Sequence, residues 1–407
     1  MVLCCYKKIV FLVILAYVFF CPLAFLDVHS DDINEGEPNT QVFLSSSAVK
    51  IISPPRVDAT AAIVMDMESG RVLYSKNADV RKAIASTTKI MTAIVAIENG
   101  NLNDTVIVSK RAAGTGGSSI NLNTGEKLTL KELLYGLLMN SGNDASIAIA
   151  EHVGGTVENF VEMMNIKAND MGLKDTAFKT PHGLDAVGHY STANELALMT
   201  KYALGLKTFS EIVRTVSTNI TGRGLYNTNE MLGYYPGTDG VKTGYTGQAG
   251  RCLVCSVTRD NWRIISVVLG CPTRTIRAES SRKILDYSFN NYKQYTLLKS
   301  NENIKNIRVI KGKSSNVPVV AADEIKLPLS HEELSALETE IELPDSFVAP
   351  VKGEIEVGNI RFVLDGKVIA ESVLKTGNGV ERKKVTDYLN ELFGTWGNLM
   401  KLGTQWY

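Results

Sequence analysis

Apolar and polar positions divide the chain, after about its first 56 residues, into a mixed region and a β-rich region. In the mixed region, residues 61–67 and 71–74 are β-rich runs around the turn 68–70, which predicts a β-hairpin. Runs at 252–258 and 262–269 predict two more strands, and helical spacing dominates between the two pairs. Strands at both ends of a helical middle predict one α+β domain, closed by pairing of early and late strands.

The helical middle begins at Ser86-Thr87-Thr88-Lys89, which precedes an apolar run and predicts a buried helix. On such a helix the serine hydroxyl and the lysine amine, three residues apart, share one face. Helical runs at 133–139 and 145–153 are interrupted at 140–143, which exposes a hydroxyl and an amide where the second helix starts. The last helix of this region is predicted over 277–289.

A glycine cluster at 114–117 lies between short predicted strands at 106–108 and 128–130. The cluster neither follows a strong strand nor opens a helix, as a dinucleotide-binding turn requires. We therefore predict a loop at this position.

After residue 292 the pattern changes to short alternating runs separated by turns, which is typical of a small all-β domain. The predicted strands are 307–310, 317–320, 355–357, 360–364 and 368–374.

The tail, residues 386–407, has apolar and aromatic residues at helical spacing, and the basic stretch 382–384 precedes it. Such a helix suits the surface of an anionic membrane. The alternative is a helix docked on the β-rich domain, and three glycines weaken any free-standing helix. The apolar and aromatic positions are Leu389, Leu392, Phe393, Trp396, Leu399, Met400, Trp406 and Tyr407.

The N-terminal segment, residues 1–30, combines two lysines, an apolar run at 9–26 and a sequence suited to signal-peptidase cleavage. We interpret it as a secretory signal; the alternative is an uncleaved membrane anchor. Cys21 lacks a preceding small residue, so a lipoprotein anchor is not expected. Residues 31–56 are polar and irregular and are interpreted as a spacer, so the mature protein is predicted to work outside the cytoplasm.

Composition adds few constraints. The 407 residues suffice for two or three domains, and the 43 basic residues balance the 43 acidic ones, so nothing global indicates a nucleic-acid partner. Cys252 and Cys255 are three apart in a strand-like run and point to opposite faces, which argues against a metal clip or a mutual disulfide. Together with Cys271 they are interpreted as small core residues.

Three short motifs carry the candidate chemistry. A serine beside a lysine is an effective nucleophile only when the amine is unprotonated, which burial and a second nearby cation favour. Ser-x-x-Lys is frequent by chance, so Ser86 and Lys89 alone are weak evidence. Followed in order by Ser141-Gly142-Asn143 and Lys242-Thr243-Gly244, they form the set known from β-lactamases and penicillin-binding proteins.

The chain resembles the D-alanyl-D-alanine carboxypeptidases among the low-molecular-weight penicillin-binding proteins, over nearly its whole length. The segments that carry the resemblance are Ala85-Ser86-Thr87-Thr88-Lys89-Ile90-Met91-Thr92, Ser141-Gly142-Asn143-Asp144-Ala145, Pro181-His182-Gly183-Leu184-Asp185, His189-Tyr190-Ser191-Thr192-Ala193 and Asp239-Gly240-Val241-Lys242-Thr243-Gly244-Tyr245-Thr246.

By this resemblance, Ser86 attacks the peptide bond between two D-alanines and Lys89 takes its proton. Ser141 and Asn143 relay the proton and hold the substrate amide, and the terminal D-alanine leaves. The implied substrate-binding residues are Lys242, Thr243, Gly244, Tyr245 and Arg277. Lys242 and Thr243 bind the terminal carboxylate, backbone N–H groups of Ser86 and Tyr245 stabilise the oxyanion, and Arg277 lies near the carboxylate pocket.

The resemblance also implies an α+β, β-lactamase/transpeptidase-like domain at 57–292, followed by a β-rich domain at 293–385. It implies no cofactor and no metal. The expected partners are peptidoglycan stem peptides, β-lactam antibiotics as covalent inhibitors, and a membrane surface contacted by the C-terminal helix. The expected location is the outer face of the cytoplasmic membrane, with peripheral attachment.

Two other functions compete with this interpretation. A serine β-lactamase needs a carboxylate that holds a hydrolytic water, for which Glu195 is the nearest candidate. A penicillin-binding sensor or wall-binding protein would form an acyl-enzyme that persists. A second Lys-Thr-Gly at 375–377 is predicted to be a turn, and His182 and His189 are predicted to be structural loop residues.

Overall fold

The computed structural model describes the backbone of residues 53–403 and the side chains of residues 53–396. The predicted signal, residues 1–30, and most of the predicted spacer lie outside the described residues. So do the side chains of Leu399 and Met400, and the whole of Trp406 and Tyr407.

A five-stranded antiparallel sheet, in the order β2-β1-β9-β8-β7, forms the centre of the N-terminal part. The early strand β1 pairs with the late strand β9, so the predicted closure of the domain is confirmed, as is the predicted hairpin. These strands are β1 Ala61–Asp66, β2 Val72–Lys76, β7 Thr238–Thr246, β8 Gly250–Arg259 and β9 Trp262–Cys271, with the short pairs β3 Thr105–Ile107 with β4 Lys127–Thr129, and β5 Ser217–Ile220 with β6 Arg223–Tyr226.

Most helices cover one face of this sheet. Several begin at a threonine or serine whose side-chain oxygen accepts a backbone N–H of the first turn, which satisfies donors that the helix leaves free. The helices are α1 Lys89–Asn99, α2 Lys110–Ala113, α3 Leu130–Met139, α4 Asn143–Gly154, α5 Val157–Asp170, α6 Ala193–Gly205, α7 Lys207–Val213 and α8 Arg274–Asn291.

Two differences from the predicted boundaries concern the site. Ser86 does not lie in the α-helix: it belongs to a 3-10 turn, Ala85–Thr88, and α1 starts only at Lys89. Helix α8 starts at Arg274 and not at Arg277, because Thr273 caps its first turn. The glycine cluster 114–117 is a loop directly after α2, as predicted.

The sheet separates two apolar cores. Cys252 packs into the core under the helices, and Cys255 into the core between the sheet and α8. The prediction that these two side chains point to opposite faces is therefore confirmed, and all three described cysteines are buried and free.

A second, six-stranded sheet has its own apolar core after residue 292. Apart from residue 355, the runs predicted at 355–357 and 360–364 lie in one strand, Glu356–Leu364, and Lys375 and Thr376 end the strand Lys367–Thr376 where a turn was predicted. The remaining elements are β10 Lys293–Leu298, β11 Asn303–Ile310, β12 Asn316–Ala321, β13 Ile325–Leu329, α9 His331–Ala336, β14 Glu338–Glu342, β15 Ser346–Val348, β16 Glu356–Leu364, β17 Lys367–Thr376 and α10 Val385–Gly403.

Helix α10 leaves its apolar side uncovered. The large apolar and aromatic side chains described at 388–396 are between 45% and 67% exposed, so a helix docked through this face on the β-rich domain is not what the structure contains. Within residues 53–403, no helix combines the length and the apolar character needed to cross a bilayer. The exposed side chains are Tyr388, Leu389, Leu392, Phe393 and Trp396.

Candidate active site

Ser86 and Lys89 meet where the 3-10 turn joins α1. The Lys89 Nζ lies 2.9 Å from the Ser86 Oγ, 2.7 Å from the Asn143 Oδ1 and 2.7 Å from the His182 carbonyl oxygen. The amine comes from α1, the amide from the start of α4, and the carbonyl from the loop before α6. Three distant segments therefore converge on one nitrogen.

The Lys89 amine is fully buried. Burial lowers its pKa well below the usual value, and the positive charge of Lys242 lowers the pKa further, against a smaller opposing effect of Asp144. A neutral amine has two N–H donors and one lone pair. With the N–H groups donated to Asn143 and His182, the lone pair remains for the Ser86 hydroxyl, which is the arrangement of a general base and its nucleophile.

Asn143 is held from two sides. Its Oδ1 accepts from Lys89, and its Nδ2 donates to the Gly116 carbonyl at 2.7 Å. The glycine loop approaches closely here: a Cβ at Gly117, whose φ is +87°, would lie 2.6 Å from the Asn143 Nδ2. The loop predicted at 114–117 thus supports the site, a role that its sequence did not reveal.

Ser141 is buried at the break between α3 and α4, in a left-handed backbone conformation with φ of +62°. Its hydroxyl makes no hydrogen bond with Ser86, Lys89 or Lys242 in the described part of the chain. The structure therefore brings Asn143, but not the Ser141 hydroxyl, into direct contact with the Lys89 amine.

Strand β7 contains the third motif, Lys242-Thr243-Gly244, and runs beside Ser86. A Cβ at Gly244 would lie 3.0 Å from the Ser86 nitrogen, so glycine allows the strand to approach the 3-10 turn closely. The Lys242 amine, 1% exposed, donates to the Thr243 carbonyl at 2.9 Å. Burial and the charge of Arg277 lower the pKa of Lys242 to about 7.

Arg277 reaches the same region from α8 and is buried. Its guanidinium forms a two-pronged ion pair with Glu230, from Nε to Oε1 at 2.9 Å and from Nη2 to Oε2 at 2.6 Å, and it also donates to the Cys252 carbonyl at 3.4 Å. Thr243 shares a hydrogen bond of 2.8 Å with Thr228. The sequence reasoning missed Glu230 and Thr228, since neither lies in a motif.

Tyr245 follows Gly244 on β7 and is half exposed. The guanidinium carbon of Arg251, opposite it on β8, lies 3.6 Å from the centre of the tyrosine ring. This stacking fixes the side chain of the residue whose backbone the resemblance implicates in oxyanion binding.

Two histidines that were predicted to be structural loop residues, His182 and His189, contact residues of the site. The His182 carbonyl binds Lys89, and His189 bonds to Thr88 inside the Ser-x-x-Lys motif. Neither imidazole contacts Ser86, as the prediction of structural roles requires. Their place inside the segments that resemble the carboxypeptidases was the only signal of this proximity.

Both oxygens of Glu195, the candidate for holding the hydrolytic water of a β-lactamase, accept hydrogen bonds from other protein groups. Glu195 accepts from the Asp175 backbone N–H at 2.8 Å and from the Thr176 hydroxyl at 2.5 Å. The second Lys-Thr-Gly lies in the other sheet, where Lys375 forms an ion pair with Glu354 at 2.5 Å.

Comparison with protein-family models gives two matches. Residues 48–273 match the D-alanyl-D-alanine carboxypeptidase peptidase family, and residues 292–382 match the C-terminal domain of penicillin-binding protein 5. The first match covers more than half of the chain.

Among curated relatives, the D-alanyl-D-alanine carboxypeptidase DacF of Bacillus subtilis is 37% identical over 350 residues, which cover 83% of this chain and 90% of the relative. DacC of Escherichia coli, also a D-alanyl-D-alanine carboxypeptidase, is 36% identical over 86% of this chain and 93% of its own length. Penicillin-binding protein 5 from Haemophilus influenzae has a similar structure, with a TM-score of 0.72, 33% identity, and coverage of 81% of this chain and 100% of that one.

Proposed function

The chain belongs to the D-alanyl-D-alanine carboxypeptidase family of serine-type hydrolases, and from this premise we propose that it removes the terminal D-alanine of peptidoglycan stem pentapeptides through an acyl-enzyme on Ser86. The fold is that of penicillin-binding protein 5, with an α+β domain followed by a β-rich domain. The observation that carries the proposal is the buried Lys89 amine, 2.9 Å from the Ser86 hydroxyl and beside a second buried lysine.

In the first step the neutral Lys89 amine takes the proton of Ser86 as the Ser86 oxygen attacks the carbonyl carbon of the penultimate D-alanine. The C–N bond breaks as the departing nitrogen takes the proton that Lys89 holds, with Ser141 as the proposed relay, and D-alanine leaves. Water then hydrolyses the ester and frees the serine. A β-lactam is attacked in the same way, but the opened ring stays attached and no group departs.

The substrate's terminal carboxylate is proposed to bind at Lys242 and Thr243, with Arg277 behind them. Three observations support this: Lys242 and Arg277 are buried basic side chains, Arg277 is close enough to lower the pKa of Lys242, and Thr243 follows Lys242 on β7. The N–H groups of Ser86 and Tyr245 are proposed as the oxyanion donors, supported by the close approach of Gly244 to Ser86. Asn143 is proposed to hold the substrate amide.

Mass spectrometry of the benzylpenicillin adduct, with D-alanine release from a soluble pentapeptide, tests the proposal. Ser86→Ala should abolish both signals, because the oxygen that forms the ester is gone. Lys242→Ala should lower kcat/KM for the peptide at least about tenfold, the value of a charge-assisted hydrogen bond. The matched control is Lys375→Ala, in the second Lys-Thr-Gly, which should leave both signals unchanged.

Three results would contradict the proposal. A normal adduct on Ser86→Ala would move the nucleophile elsewhere. Rapid and repeated turnover of a chromogenic cephalosporin would indicate a β-lactamase. Penicillin labelling of the wild-type protein without any D-alanine release would indicate a sensor or wall-binding protein.

We further propose that the mature protein works outside the cytoplasm, peripherally attached to the outer face of the membrane by α10. The wall substrate and the exposed apolar side of α10 support this. The proposed divisions are a signal at 1–30, a spacer at 31–56, the catalytic domain at 57–292, the β-rich domain at 293–385 and the membrane helix at 386–407. The two family matches and the separate apolar core after residue 292 support the middle boundaries.

A further inference from the structure

The peptide unit between Ala85 and Ser86 has two functional ends. Its N–H belongs to the nucleophile and is one of the proposed oxyanion donors, and its carbonyl is that of Ala85. Ala85 has φ of +47°, a left-handed conformation that a residue with a side chain adopts only when its surroundings enforce it. Because the peptide unit is planar, fixing the direction of the carbonyl also fixes the direction of the N–H.

Thr88 and His189 bind this carbonyl in sequence. The Thr88 hydroxyl donates to the Ala85 oxygen at 2.7 Å, and the same hydroxyl lies 2.8 Å from the His189 Nε2. The His189 Nδ1 accepts the Lys179 backbone N–H at 3.0 Å, so the ring proton of the neutral imidazole is on Nε2. The hydrogen bonds therefore run in one direction, from the imidazole to the threonine and on to the carbonyl.

The His189 imidazole is neutral at neutral pH. Burial lowers the pKa of His189 to about 4, with Lys179 lowering it and Asp185 opposing. A protonated ring could not accept the Lys179 N–H. The direction of the chain of hydrogen bonds is thus maintained at neutral pH.

A third contact confines the same carbonyl. Gly183, with φ of +85°, lies so close to it that a Cβ would be 2.0 Å from the Ala85 oxygen. The preceding residue, His182, accepts a hydrogen bond from the Lys89 amine. One loop therefore contacts both the general base and the far end of the oxyanion peptide.

We propose that Thr88 and His189 are positioning residues, which hold the Ala85–Ser86 peptide so that the Ser86 N–H points at the oxyanion during acylation. This inference rests on the proposed function of Ser86. It assigns a reaction role to the second variable position of Ser-x-x-Lys and to a loop histidine 101 residues away.

The test compares two neighbouring threonines. Thr88→Val removes the hydroxyl at nearly constant shape, and Thr88→Ser retains it. Thr87→Val is the matched control, because the buried Thr87 hydroxyl donates to the Ile84 carbonyl at 2.6 Å, which belongs to a different peptide unit. For each variant we would measure the rate constant of acylation by benzylpenicillin, kcat and KM for a pentapeptide, and the melting temperature.

Thr88→Val should lower the acylation rate constant and kcat about tenfold or more with KM unchanged, because a misdirected donor weakens the transition state and not the bound substrate. Thr88→Ser should restore most of the rate. Thr87→Val should lower the melting temperature to a similar extent and keep the acylation rate within about twofold of the wild type. His189→Ala should lower the acylation rate constant and kcat as Thr88→Val does. His189→Gln should retain more activity, because its amide can both accept and donate a hydrogen bond.

The inference is overturned if folded Thr88→Val acylates at the wild-type rate, or if Thr88→Ser is as slow as Thr88→Val. If Thr88→Val does not fold, the two His189 variants replace it in the test: folded His189→Ala that acylates at the wild-type rate, or His189→Gln that is as slow as His189→Ala, overturns the inference. Failure of the proposed function looks different, because it shows in the wild-type protein itself, which would then form no adduct on Ser86, release no D-alanine from the pentapeptide or turn over a cephalosporin rapidly.

Discussion

At the scale of single residues, the chemistry depends on two lysine amines that are buried away from water. Lys89 and Lys242 are among the largest fully buried side chains of the described region. Burial opposes the charged form, and each amine has a further cation nearby that opposes it again. The environment thus converts an ordinary lysine into a base that can work at neutral pH.

His189 gives a prediction about acid stability. The pKa of His189 is about 4 in the folded protein, against the 6.5 usual for an exposed histidine, so the unfolded chain binds the proton first as pH falls. The contribution of His189 is complete above pH 6.5 and is lost as pH falls towards 4. Between pH 7 and pH 5, the free energy of unfolding of the wild-type protein should fall about 2 kcal/mol more than that of His189→Gln.

Urea unfolding of both proteins at the two pH values measures this difference. His182, whose pKa burial also lowers to about 4, is present in both proteins, and only the smaller effect of the His189 charge on it differs between them. Equal losses in the two proteins would contradict the neutral, Nε2-protonated His189.

At the scale of secondary-structure elements, the base Lys89 and the amide Asn143 each begin a helix, whereas Lys242 and Gly244 lie inside β7. The 3-10 turn aims Ser86, α1 begins with Lys89, α4 begins with Asn143, and β7 passes Ser86 at Gly244. Element ends leave backbone groups and side chains unpaired and available, which is why the base and the amide lie there.

Helix α10 gives the prediction at this scale. Replacing Leu392, Phe393 and Trp396 by serine should lower sedimentation with phosphatidylglycerol vesicles at least about tenfold, because these exposed side chains supply the apolar area that enters the interface. Activity on a soluble pentapeptide should not change, since none of the three contacts the site.

The control replaces Asn390 and Thr395, exposed polar residues of the same helix, by serine and should sediment as the wild type does. Deleting residues 386–407 should have the same effect as the apolar substitutions. Undiminished sedimentation of the deletion variant would reject α10 as the anchor.

At the scale of the whole molecule, the two parts with separate cores are joined after α8, and Arg71 links the first part to β13 and α9 of the β-rich part. This residue of the first hairpin binds the Pro328 carbonyl and forms an ion pair with Glu333 at 2.6 Å. The acylation site is built entirely from elements before α8 ends. The β-rich part supplies none of its side chains among the described residues.

The corresponding prediction is that a chain ending at Tyr292 still forms the benzylpenicillin adduct, at a rate within about threefold of the full-length protein. Its melting temperature should be lower, because the Arg71 contacts and part of the covered surface are lost. Adduct formation and thermal unfolding measure the two effects. A folded fragment that forms no adduct would show that the β-rich part contributes to the site.

Much of the fold could be predicted because its signals are local. The hairpin, the two long strands and the buried helix after Ser86 each follow from apolar periodicity within one segment. The Ser-x-x-Lys, Ser-Gly-Asn and Lys-Thr-Gly motifs marked the segments that carry the chemistry. Boundaries were less accurate: capping by Thr273 moved the start of α8, and the positive φ of Ala85 put Ser86 in a 3-10 turn.

The sequence by itself determined which residues are available for the reaction and the order in which they follow one another. Only the tertiary structure decided their chemical state. The low pKa of Lys89, the pairing of Arg277 with Glu230, the structural use of Glu195 and the contact of His189 with Thr88 all join residues distant in the chain. Desolvation and hydrogen bonding depend on what packs against a group, and periodicity along one segment carries no information about its neighbours from another.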